Sequence, residues 1–190
     1  MIDQFKSLVV NRRFFKANDF ELKLALNMDN LNALKVGNSV RINGVFYYVN
    51  YAAVDDIADG LLTVRGMSLF GLTNNRIVWE NYSKQARPEF IARELITRHV
   101  TVPSVPERKI KQITVGADSV LSGSSIQYQN SYGIVKEEVE KLCETYGFGF
   151  KEEVADPFVP ASNIVFYKGR DLSQSVEFTT DAENVLSESY

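Results

Sequence analysis

The residues able to do chemistry in this sequence each sit in a setting that favours packing. His99, the single histidine, is the one side chain whose ordinary pKa suits general acid–base work near neutral pH. It closes an apolar helical pattern with Ile91 and Leu95 on one face, where a protonated imidazole would favour the negative end of the helix dipole. No serine or cysteine nucleophile motif accompanies it. Cys143, the single cysteine, cannot form a disulfide within the chain, and one cysteine with one histidine cannot build a zinc site. It lies on an apolar stripe and reads as a small hydrophobe. Asp55, Asp56 and Asp59 beside Gly60 would suit a cation, but the spacing is not that of a calcium loop and a solvated turn explains it. Glu137, Glu138, Glu140 and Glu144 read as the wet rim of a helix. Gly147-Phe148-Gly149 leaves a helix for a strand, the reverse of a dinucleotide site. Phe46, Tyr47, Tyr48 and Tyr51 could stack on a sugar or base. Alternation divides them between the two faces of a strand, so a sheet covered on both sides accounts for them. No catalytic, cofactor-binding or metal-ligating residue is assigned, and no cofactor is expected.

The elements that carry these residues are bounded by composition. At 190 residues, 45% hydrophobic and 24% charged, the chain is long enough for one core, or one core plus an inserted piece, and too apolar for wholesale disorder. Residues 1–100 carry a net +3 and residues 101–190 a net −6. That gradient, with a pI near 5.3, is no nucleic-acid footprint. No apolar run reaches the ~18 residues of a membrane span, and Met1–Lys6 does not read as a signal peptide.

The first 80 residues read mainly as strands. Phe5–Val10 is a short apolar run, and Phe20, Leu22, Leu24 and Leu26 alternate onto one face. Asp29 is placed to cap a helical turn through Leu31 and Leu34, ended by Gly37. Asn43-Gly44 between Val40–Ile42 and Val45–Val49 predicts a two-residue type I′ hairpin. Leu61–Arg65 and Ile77–Trp79 complete about six strands, a density typical of a barrel or sandwich. The apolar 45–54 strand must be covered on both faces, by the core on one side and by an inserted piece or another subunit on the other.

The pattern then changes. Pro88 opens a helix through Val100, residues 101–123 read as extended surface chain, and a second helix runs from about Ile134 to Tyr146. Its stripe is Val135, Val139, Leu142, Cys143 and Tyr146, with Gly147 as the C-terminal cap. Phe148–Lys151 and Ile164–Tyr167 are strands, and Val176–Thr179 is a last one. Strands, then a helical excursion, then a returning strand predict an α+β chain: an antiparallel β-barrel or sandwich (1–85 plus 170–190) interrupted by an inserted α+β subdomain with two helices (86–169).

Residues along the whole chain carry a resemblance. They include Arg13-Phe14, Asp19-Phe20-Glu21-Leu22, Val64-Arg65-Gly66-Met67-Ser68-Leu69 and Asn75-Arg76-Ile77-Val78-Trp79. In the second half they are Arg108-Lys109-Ile110, Lys141-Leu142-Cys143-Glu144, Gly147–Phe150, Gly169-Arg170-Asp171 and Phe178 with Asn184–Tyr190. The chain resembles the baseplate-hub proteins of long-tailed, non-contractile phages and prophages, in which tail-associated lysins share the hub region. Physical roles fit several of these positions. Gly66 suits a turn or bulge, Arg65 and Arg76 can brace a loop through backbone carbonyls, and Asp19 can accept a hydrogen bond from its own chain.

The resemblance implies a tail-tube-like barrel and a structural, non-enzymatic role in the virion tail tip, made in the bacterial cytoplasm without a signal peptide. It implies a homotrimer in the full-length parent and contacts with the distal tail protein and the tape measure protein. Such hubs continue beyond the position matching Tyr190, so the chain reads as a fragment that could be monomeric alone. The alternative reading is a host cell-wall-binding module of a tail adhesin or lysin, to be expected if an aromatic stacks on a concave surface among polar neighbours.

Overall fold

The structure is a computed structural model that describes residues 4–56 and 60–170. The side chains of the acidic turn at Asp55, Asp56 and Asp59, and the strand expected at Val176–Thr179, lie outside the described residues.

Five strands form one antiparallel sheet in the order β1-β2-β5-β4-β3. They are β1 (Ser7–Asn11), β2 (Asp19–Ala25), β3 (Ser39–Ile42), β4 (Val45–Asp56) and β5 (Leu61–Ser68). The sheet curls around its own apolar face. The alternation in β2 buries Phe20, Leu22 and Leu24, which meet Tyr47 and Val49 of β4, Leu62 and Val64 of β5, and Leu34. Each large side chain fully buried in this way stabilises by about 1.5–3 kcal/mol relative to exposure. Asn43 (φ 49°) and Gly44 (φ 84°) make the expected hairpin, with Ile42 opposite Val45. Helix α1 (Met28–Ala33) is capped by Asn27, not Asp29: the Asn27 side chain accepts from the Asn30 amide at 2.8 Å. Asp29 stands in the first turn instead. Gly37 takes the expected positive φ of 93°, but within the turn Lys35–Asn38 and not as the cap of α1.

After β5 a 3-10 turn (Leu69–Asn75) leads into a second body of structure. Helix α2 (Pro88–Ile96) continues as a π-turn through Thr101, and α3 (Val135–Tyr146) packs against it. Gly147 ends α3 in the left-handed conformation, φ 69°. The strand expected at Ile77–Trp79 is only an isolated bridge, Ile77 to Ile134. Three strands appear that the sequence pattern did not show: β6 (Tyr82–Ala86), β7 (Ile113–Val115) and β8 (Ile126–Asn130). β6 pairs with β8, while β7 runs parallel to β10 (Ser162–Tyr167), which pairs antiparallel with β9 (Gly149–Glu153). Residues 101–123 are therefore not all extended surface chain.

This second body has its own core. Ile91, Leu95, Val139, Cys143, Phe148 and Phe166 are among its members, and the preceding Phe70, Val78 and Tyr82 belong to it as well. The chain is thus α+β, with a curled antiparallel half-barrel and few helices. Among the described residues no helix is long and apolar enough to cross a membrane.

Candidate functional site

The half-barrel places its polar and ionic residues on the outer face. Glu21, Arg65 and Tyr51 stand in register across β2, β5 and β4. Arg65 Nε donates to Glu21 Oε2 at 2.7 Å, and its guanidinium lies over the Tyr51 ring, 5.4 Å from the centroid. The hydrogen bond from Arg65 holds the Glu21 carboxyl below its ordinary range. Asp19 accepts from Asn11 Nδ2 at 2.6 Å and from Arg13 Nε at 3.0 Å, tying the end of β1 to the start of β2. A groove of about 500 Å³ runs over this face past Val9, Phe20, Tyr51 and Met67.

Gly66 lies within β5, not at a turn. A β-carbon there would stand 2.2 Å from the Tyr48 carbonyl oxygen, opposite the irregularity between Val49 and Tyr51 of β4. Arg76 does bind carbonyls, with Nε to Arg108 O at 2.6 Å and a second bond to Asn75 O at 2.8 Å. Arg65 pairs with Glu21 instead. The cover over the second face of β4 is partly intramolecular: Tyr48 packs on the turn at Gly71, whereas Tyr51 is exposed.

The residues considered for catalysis are not brought together. His99 is buried, its Nε2 lacks a hydrogen-bond partner, and burial lowers its pKa, so the imidazole is held neutral and not charged against the helix dipole. Cys143 is buried, and burial pushes its thiol far up, which removes the reactive thiolate. Tyr146, expected on the buried stripe, is exposed, and Glu140, expected on the wet rim, is buried. Among the described residues no group of three or more His, Cys, Asp or Glu is placed to hold a metal ion.

What the sequence did not reveal is a set of buried carboxylates that join distant segments. Glu140 accepts from the Ala17 amide at 2.9 Å and from Lys136 at 2.9 Å. Glu89 accepts from the amides of Leu121 and Ser122 and from the Ser122 hydroxyl at 2.6 Å. Burial works against charge on Glu89, yet these donors outweigh it and hold the carboxyl below its ordinary value. Glu152 accepts from the Phe70 amide at 3.1 Å, binding β9 to the start of the 3-10 turn. Burial dominates there and raises its pKa to about 7, eased by Ser68, Phe70 and Ser162. Neither Glu152 Oε1 nor Ser162 Oγ has a hydrogen bond of sound geometry. A carboxylate that collects backbone amides fixes a loop on a core.

A further exposed aromatic sits in a hollow. Trp79, 58% exposed, borders a depression of about 260 Å³ with Glu80, Arg98, His99, Val102 and Ser104. The Arg108 guanidinium covers one of its faces, 5.0 Å from the ring centroid.

The family described as "Siphovirus ReqiPepy6 Gp37-like protein" matches residues 1–190. No curated protein matches the sequence. Among solved structures the fold is similar to prophage tail protein gp18 from Listeria monocytogenes EGD-e, with a TM-score of 0.59, 14% identity, and coverage of 88% of this chain and 46% of that one. It is also similar to the E. coli c3393 protein, with a TM-score of 0.52, 10% identity and coverage of 85% and 49%. That protein is a type VI secretion component described as structurally similar to the T4 phage tail proteins gp27 and gp5. A third is a tail protein from Neisseria meningitidis MC58, with a TM-score of 0.50, 14% identity and coverage of 86% and 46%. The chain spans less than half the length of each of these proteins.

Proposed function

We propose, for a chain that belongs to the Siphovirus ReqiPepy6 Gp37-like family, a structural role in the tail of a phage or prophage. The observation that carries this reading is the family match over all 190 residues, and the likeness of fold to phage tail proteins supports it. The finer reading is a baseplate hub at the tail tip, joining the tail tube and distal tail protein to the tip and the tape measure protein. It is a non-catalytic part of a homotrimer in its parent. The chain acts by shape and interface burial: sheet edges and exposed apolar rims such as Val9 and Val54 are sealed by neighbours.

The division into a split β-domain (1–85 plus 170–190) and an insertion (86–169) belongs to the same proposal. Two separate buried clusters support it, although Leu69–Ala86 packs with the second cluster. Immunogold labelling of purified particles with antibody to this chain tests the placement. Label at the end of the tail farthest from the head is expected, and particles free of the protein would overturn the role. Three copies per particle by quantitative mass spectrometry are expected, and six would overturn the trimer.

The Trp79 hollow favours a second reading, a cell-wall-binding module, because an aromatic there stands among polar neighbours. Arg108 already occupies one ring face, which leaves a single face for a sugar. Binding of the protein to purified cell walls that is lost in Trp79→Ala would establish this reading, and equal binding by both proteins would remove it.

A further inference from the structure

The loop that joins β9 to β10 ends in an apolar tip. Phe158 is 90% exposed, more than any other large apolar side chain among the described residues, and Val159 beside it is 50% exposed. The loop is nonetheless fixed. Pro157 and Pro160 bracket the pair, and the Phe158 amide donates to Asp156 Oδ1 at 2.8 Å. The Val159 amide donates to the Asp156 carbonyl at 3.3 Å, and the Ala161 amide to the Val159 carbonyl at 2.7 Å. A tip organised in this way loses little freedom when it docks, and an aromatic side chain is the usual anchor of such a contact.

The same body of structure holds a receptor of matching chemistry, the Trp79 hollow. Val102 on its border is exposed, and the Trp79 face turned away from Arg108 can take another ring edge-on or offset. His99 beside it is held neutral by burial, so it brings no charge for an apolar side chain to desolvate. Charge complementarity selects the occupant. Residues 76–111, which build the hollow, carry eight basic and four acidic side chains, a net +4. Residues 134–160, from α3 through the tip, carry three basic and seven acidic ones, a net −4. At close quarters Arg98 and Arg108 stand at the hollow, while Glu153 and Asp156 flank the tip. Phe158, almost wholly exposed, does not enter the hollow of its own chain. Opposite charge on two separate surfaces of one chain draws the tip of one copy to the hollow of the next.

We propose that the Phe158 tip of one copy inserts into the Trp79 hollow of a second copy, with Phe158 on the open face of the Trp79 ring and Asp156 towards the arginines of the hollow. Tip and hollow are different surfaces, so the contact is heterologous: each copy gives its tip to one neighbour and receives a tip from another. Contacts of this kind close into rings where the rotation allows, and a cyclic trimer is built only from them. The proposal rests on the structural, self-assembling reading and fills the hollow with protein in place of a sugar. One aromatic anchor makes a small interface, so the 190-residue chain associates weakly and covalent trapping is the suitable readout.

The trapping experiment keeps Phe158 and Trp79 in place. Chains carrying Val159→Cys are mixed with chains carrying Ser104→Cys and oxidised mildly, while Cys143, being buried, takes no part. Disulfides between positions 104 and 159 should exceed those of either like-with-like dimer by about 10-fold or more, and Phe158→Asp in the Val159→Cys chain should remove that excess. Phe158 is exposed, so this change leaves the fold intact, and an unchanged circular dichroism spectrum checks it. Mixed dimers in random proportion, or an excess that survives Phe158→Asp, would overturn the proposal. Preferential trapping of Val159→Cys by Val40→Cys would do so too, by putting the tip in the apolar groove of about 420 Å³ beside Leu8 and Leu34. Random pairing together with cell-wall binding that Trp79→Ala abolishes would give the hollow to a sugar. Random pairing with three copies per particle would remove this contact and keep the trimer, whereas particles free of the protein would overturn the structural role itself.

Discussion

Glu152 turns burial into a pH dependence. Its carboxyl has an ordinary pKa of 4.5 and one of about 7 in the folded chain. Between those values the folded protein holds a proton that the unfolded chain has released, so stability falls as pH rises through this window. The loss is on the order of 3 kcal/mol at most and complete above the folded pKa. His99 works in the opposite sense, because its lowered pKa favours folding as pH rises towards 6.5. The difference between the wild type and Glu152→Gln isolates the carboxylate. Urea midpoints of the wild type relative to the variant should fall from pH 5 to pH 8, and parallel pH profiles would exclude Glu152 as the source. Gly66 makes a second prediction at this scale. A methyl group there meets the Tyr48 carbonyl, a backbone atom that cannot swing aside. Gly66→Ala should cost about 3 kcal/mol, the upper end of ordinary overpacking. Gly123→Ala, with nothing within 4 Å of the new atom, should leave the denaturation midpoint unchanged.

Elements were legible wherever one face is uniformly apolar. The alternation of Phe20, Leu22 and Leu24, the Asn43-Gly44 hairpin and the α3 stripe from Val135 to Cys143 with its Gly147 cap stand where their patterns put them, while Tyr146, at the end of that stripe, is exposed. β6 and β8 escaped because Tyr-Ser-Lys-Gln-Ala and Ile-Gln-Tyr-Gln-Asn offer few apolar positions. What holds them is their pairing to each other across about 45 residues of chain, and no local window contains that information. Ile77–Trp79 failed in the opposite way. Its apolar residues are strand-like, but the backbone pairs with no more than a short segment at Tyr132–Ile134, and the Ile77 carbonyl accepts from the Arg108 side chain. Glu140 shows why no buried carboxylate was foreseen. A helical wheel puts it at the flank of the stripe, but only the fold brings the Ala17 amide there, 123 positions away in sequence. Glu140→Ala should cost about 1–3 kcal/mol, since it strips the partner from a buried amide. Glu144→Ala, on the exposed side of the same helix, should leave the thermal midpoint in place.

At the scale of the whole molecule, residues 12–18 between β1 and β2 form a loop through which the two cores meet, beside the contact of Tyr48 and Met67 with the turn at Gly71. Ala17 binds Glu140 of α3, and the Phe150 amide donates to the Phe14 carbonyl at 3.2 Å. Phe14 packs edge-on against Tyr167, while Gly149 approaches so closely that a β-carbon would stand 2.5 Å from the Phe14 oxygen. On the other side of the loop Asn18 exchanges hydrogen bonds with Ser68, from Asn18 N to Ser68 Oγ and from Ser68 N to Asn18 O. The loop is therefore held by both bodies, and unfolding one strips partners from the other. The wild type should lose structure in a single step. Its one tryptophan, Trp79, adjoins Val78 of the second core and so reports that core alone, while far-ultraviolet circular dichroism reports both. In denaturant the two signals should coincide for the wild type. Phe14→Ala combined with Glu140→Ala removes the ring contact and the carboxylate anchor, and the signals should then separate, with dichroism lost first as the open half-barrel melts ahead of the helical core. Coincident transitions in both proteins would mean that the coupling runs elsewhere, through the side-chain bond between Glu152 of β9 and Ser68 of β5, and Glu152→Ala would then be the variant that splits them.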